Sequence, residues 1–155
     1  MKTLFSPSAR RVLPMMPLLL VLTGCTTTRV VERGGTASEL AGVAPVLSVE
    51  RFLQAVNAQD FDAMARLFGT HEGPFQGEPS EVELRMSILS EILRHQDYRI
   101  DSERLEPGRD HPTRRVGVDL TINGRVIPDV AFLMVQTDAG RWMVEQIDVD
   151  KVTSY

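Results

Sequence analysis

The sequence predicts an α+β domain: three N-terminal helices packed on a curved, mainly antiparallel sheet of four or more strands. Three observations lead there. Apolar residues recur at helical spacing between Ser48 and His95, the period changes to alternation after residue 97, and Asn123-Gly124 separates two strand-like runs. That dipeptide is the strongest short hairpin signal, because a type I′ turn needs positive φ at both central residues. Helices followed by a block of strands make a segregated α+β arrangement rather than a parallel α/β one.

Before the predicted domain, the first 24 residues carry a basic start (Lys2, Arg10, Arg11), an apolar run from Val12 to Leu22 and the small pair Thr23-Gly24, the pattern of an export signal. As a helix the apolar run would span about 17 Å against a hydrocarbon core of roughly 30 Å, and Pro14 and Pro17 weaken it further. It is not a permanent membrane span. Leu22-Thr23-Gly24-Cys25 resembles the lipobox of bacterial lipoproteins. The resemblance implies cleavage before Cys25 and acyl chains such as palmitate on that residue, with two or more chains giving stable anchoring at about 0.8 kcal/mol per buried methylene. Thr26, where an Asp would signal retention, implies the periplasmic face of the outer membrane, though the choice between inner and outer membrane stays open. Residues 25–45 read as the lipidated cysteine and a flexible tether with a reach of about 25 Å. The folded domain is expected over 46–155.

Composition excludes several classes. Beyond Cys25, 14 Lys and Arg face 21 Asp and Glu, with no basic block, so there is no electrostatic footprint for nucleic acid. The single cysteine cannot form an internal disulfide or a cysteine-rich zinc site.

Within the domain, Ser48 reads as an N-cap, and Val49, Phe52, Leu53 and Val56 share one helix face up to about Gln59. Asp60 caps a second short helix with Phe61, Met64, Ala65 and Phe68 inward and Gly69 as its stop. Residues 69–77 read as a loop. Ser80 and Glu83 have capping-box spacing, opening a third helix whose stripe is Val82, Met86, Leu89 and Leu93, widened by Ile88 and Ile92, and which ends near His95. Strands follow at Tyr98-Ile100, Arg115-Ile122, Arg125-Thr137 and Arg141-Asp150. In the third of these, Val130 to Val135 are all apolar, so both faces are expected to be covered, and Pro128 suggests a bulge or an edge segment.

This order, with the phrases Phe52-Leu53-Gln54-Ala55-Val56-Asn57-Ala58-Gln59-Asp60-Phe61-Asp62-Ala63-Met64 and Gly140-Arg141-Trp142-Met143-Val144, resembles the NTF2-like (SnoaL/ketosteroid-isomerase) superfamily over about residues 46 to 152. The resemblance implies a cone, a bent sheet wrapped around the first helix with a pocket at the open end. It does not settle activity, because that superfamily holds isomerases, dehydratases, cyclases, transport factors and proteins of no known activity.

An isomerase-like site needs a carboxylate base facing a proton donor in an apolar cavity. The raw materials are Tyr98, Asp119 and Asp129 on strands, Asp62 on the second helix, and Gln146 and Asp148 beyond Trp142. Tyr98, Asp119, Trp142 and Gln146 are the candidate pocket residues. Each also has a plainer reading: Asp119 alternates with Arg115 and Thr121 on a wet strand face, Trp142 is a core anchor, Tyr98 covers a rim, and Asp60 is only a cap. Either Trp142, Val144, Gln146 and Asp148 face inward, or Met143, Ile147 and Val149 do. His71, His95 and His111 lack metal-ligand spacing, Arg114-Arg115 is a lone basic pair, and no cofactor fingerprint is present, so neither metal nor cofactor is expected. The leading expectation is a lipid-anchored, non-enzymatic envelope module that binds a small apolar ligand or an envelope protein, with a homodimer through an apolar outer sheet face carrying Met143, Ile147 or Val149. The alternatives are a cofactor-free isomerase, dehydratase or hydrolase with an inward carboxylate, and a structural role, which a side-chain-filled interior would favour.

Overall fold

The computed structural model describes residues 37–154; the export segment, Cys25 and the tether as far as residue 36 lie outside them. Helix α1 spans Ala37–Ala58, starting well before Ser48 and running through Pro45. The expected start at a Ser48 cap is therefore not used, and the helix accommodates a proline that removes one hydrogen bond and crowds the preceding turn. Ala44 and Val46 flank the proline and pack against the core, and that burial offsets the local loss.

Gln59 adopts a positive φ of 54° and breaks the chain sharply between α1 and α2 (Phe61–Leu67). Asp60 is the expected cap, its Oδ1 accepting from the Ala63 amide at 2.9 Å. The stop falls at Phe68 rather than Gly69. Gly69 instead opens a two-stranded hairpin, β1 (Gly69–Thr70) and β2 (Gly73–Pro74), inside the stretch read as a loop. A Cβ on Gly69 would lie 2.1 Å from the Gly73 carbonyl oxygen, so only glycine permits this backbone approach.

Helix α3 spans Pro79–Leu93, with Glu78 at the cap position and no side-chain capping bond. The predicted Ser80/Glu83 capping box is therefore not used. Pro79 begins the helix one residue before Ser80, because its fixed φ suits the first helical position and it has no amide to leave unpaired.

The strands are β3 (Asp97–Leu105), β4 (Thr113–Ile122), β5 (Arg125–Gln136) and β6 (Trp142–Ile147), an antiparallel meander in the order β3-β4-β5-β6. Asn123 and Gly124 take φ of 51° and 74°, as the hairpin signal predicts. The last strand stops at Ile147, short of Asp150, and helix α4 (Val149–Thr153) follows, a fourth helix that periodicity did not reveal. Asp148 caps it, accepting from the Lys151 amide at 3.3 Å.

The helices cover one face of the sheet. Phe52, Leu53, Met86 and Leu93 are fully buried against Val118, Phe132, Met134 and Val144 from the strands. The Phe52 ring meets Phe68 and Phe132 at centroid distances of 6.3 and 6.5 Å. Among the described residues no helix is long and apolar enough to cross a membrane.

Three register shifts interrupt the sheet. They fall at Asp101 on β3, at Pro128-Asp129 on β5 opposite Asp119, and at Glu145 on β6. Each adds one residue and reverses the in/out alternation beyond it. Pro128 thus sits at a bulge, in a stretch of β5 that β6 does not pair.

Candidate functional site

Residues opposite each other across adjacent strands share a sheet face, which places the four sequence-selected residues. Tyr98 pairs with Leu120 and packs toward the helices, where its ring meets His95 edge-on at 5.5 Å. Trp142 pairs with Gln136 and is buried on the same side. Asp119 pairs with Arg99, and Gln146 with Leu133, on the outer face. The structure therefore does not bring the four together: the phenol and the carboxylate of a would-be acid/base pair lie on opposite sides of the sheet.

Both alternatives for β6 are overtaken by the bulge at Glu145. Trp142 and Val144 face the helices before it, and Ile147 faces them after it, while Gln146 turns outward. Asp148 is occupied as a helix cap.

Asp119 has a structural role that its position explains. Its Oδ2 accepts from Arg99 Nη2 at 2.6 Å and its Oδ1 from the Asp129 amide at 2.9 Å, tying down the β5 bulge. The hydrogen bond from Arg99, and then that from the Asp129 amide, hold the Asp119 carboxyl below the usual carboxylate range. Asp129 has a φ of 49°, and its carbonyl accepts from Lys151 Nζ at 3.0 Å.

The histidines are also engaged. His95 is buried and clamped to α1: its amide donates to Asn57 Oδ1 at 3.2 Å, Nε2 meets Asn57 Nδ2 at 3.2 Å, and Nδ1 meets the Leu93 carbonyl at 2.9 Å. A ring with Nδ1 protonated satisfies both side-chain contacts. His71 and His111 stack at 3.7 Å, joining the β1–β2 turn to the β3–β4 loop, which Arg109 also ties to Glu145 of β6. Among the described residues no three His, Cys, Asp or Glu side chains form a metal-holding group.

Of the residues expected on a dimerising face, Met143 and Ile147 are 1% and 8% exposed and Val149 is half-buried. Open clefts lie elsewhere. One of about 720 Å³ runs between α2 and α3 past Asp60, Asp62 and Glu83, of which Asp60 is committed to its cap. A more apolar groove of about 410 Å³ lies on α3, between Phe68, Leu89, Ile92 and Val149, with Leu84 and Ile88 on its rim. Those two are 61% and 52% exposed, one helical turn apart. Periodicity placed Ile88 with the buried stripe and passed over Leu84. The signal was present as an excess: Val82, Met86, Leu89 and Leu93 already fill one face, leaving Leu84 and Ile88 for another.

No family model matches the chain, and no curated protein matches it.

Proposed function

We propose that the chain is a lipid-anchored protein of the bacterial cell envelope, held through Cys25 on the periplasmic face of the outer membrane, whose NTF2-like domain is a non-enzymatic binding module. The α3 groove is its binding surface, and the occupant is an apolar segment of another envelope protein. The observation that carries this reading is the exposed pair Leu84 and Ile88 on the rim of an apolar groove. Covering what remains exposed of these two side chains contributes about 1–2 kcal/mol each. Glu81 and Arg85 both line the groove, and Glu91 beyond it pairs with Arg94 at 3.8 Å, so the groove's charges balance and its apolar side chains carry the contact.

The test uses the full-length chain expressed in a Gram-negative host with an alkyne fatty acid and a photo-crosslinking residue at Leu89. Acylation lost in C25A, together with a discrete protein adduct lost in L84D/I88D, supports the proposal. An unacylated mature chain refutes the anchor. An adduct that survives L84D/I88D, or one of small-molecule mass, refutes the docking surface.

A further inference from the structure

Arg115 is an anomaly among the basic side chains. Arg114 pairs with Glu103 at 3.0 Å and Arg99 with Asp119, whereas the Arg115 side chain makes no hydrogen bond or ion pair among the described residues and its Nε is buried without a partner. A buried guanidinium N–H left unpaired is costly. Arg104 stands directly across from it on β3, and like charges facing each other across strands destabilise a sheet. The neighbourhood is a cleft of about 440 Å³ on the outer sheet face, lined by Glu106, Arg115, Ala131, Leu133 and Gln146 and also by Asp148 and Asp150. The row Arg115, Leu133 and Gln146 crosses three strands in register.

We propose that this cleft binds a small zwitterion of the α-amino-acid class. The ligand carboxylate takes the terminal Nη donors of Arg115, its ammonium faces Glu106, and its apolar side chain lies over Ala131 and Leu133. The charges select both ends. A simple anion would gain Arg115 but meet Glu106, Asp148 and Asp150, and a simple amine would gain those carboxylates but meet Arg115. A planar guanidinium also suits a carboxylate in two-point contact. The cleft shares Val149 with the α3 groove but uses none of that groove's exposed apolar side chains, and it stands without the anchor at Cys25.

The experiment is a thermal melt of the full-length chain with L-leucine, isocaproate, which lacks the amine, and isoamylamine, which lacks the carboxylate. At about 10 mM, L-leucine raises Tm by about 5 °C and the two fragments raise it far less. R115M abolishes the leucine shift, and E106Q reduces it to the isocaproate value. No leucine shift, an equal shift with either fragment, or a leucine response that survives in both variants overturns the proposal.

Discussion

Replacing Gly117 with alanine tests the account of the β4–β5 bulge. A Cβ there would lie 2.4 Å from Asp129 Oδ1 and 2.5 Å from Ser102 Oγ. The serine hydroxyl can rotate aside, but the aspartate is restrained: its amide is bonded to Asp119 and its carbonyl to Lys151, at a φ of 49°. Overpacking of this kind costs about 1–3 kcal/mol, so G117A is expected to lose about 2 kcal/mol and lower Tm by about 10 °C. Asp129→Gly removes the clashing carboxylate and suits the positive φ, so in the D129G background the same alanine should cost at least about 1 kcal/mol less. Urea melts of the four proteins measure this coupling. An equal cost for G117A in both backgrounds would show that the carboxylate does not occupy the space above Gly117.

Two further outcomes concern the polar groups that brace the sheet and helices. Because the folded Asp119 pKa is depressed, its stabilisation is complete above the ordinary carboxylate value near 4 and fades as pH falls through the lower folded value; D119N should flatten that acid limb in melts across pH, and an unchanged limb would discount the Arg99 and Asp129 contacts. Asn57→Ala leaves the His95 amide and ring without their α1 partner and should cost about 1–3 kcal/mol in urea, whereas a loss below about 0.5 kcal/mol would mark Asn57 as an ordinary surface residue.

The helices and hairpins were legible where the signal is local. Asp60 caps α2 through its own chain neighbour Ala63, and Asn123-Gly124 turns through its own dihedrals, so no distant contact is needed to predict either. The misses depend on distance. Pro45 lies inside α1 where Ala44 and Val46 pack against distant core residues. The β1–β2 hairpin rests on one backbone approach at Gly69. Arg115 looked like half of a bland basic pair, and only the strand register separates it from Arg114, which has a carboxylate.

The candidate pocket failed to assemble for a reason that alternation cannot contain. A strict period of two assumes that every strand keeps its phase, yet β3, β5 and β6 each insert one residue. On β6 the extra Glu145 lets Trp142, Val144 and Ile147 all face the helices, an apolar set that neither uninterrupted phase could supply. The same insertion turns Gln146 outward into the row with Leu133 and Arg115. One added residue therefore does two things at once: it completes the packing that fills the space between helices and sheet, and it furnishes the outer face with a polar cleft. Residues that resemblance would assign to an enclosed pocket are thereby divided between a core and a surface, and the chemistry available to a ligand moves to the side of the sheet that the helices leave open.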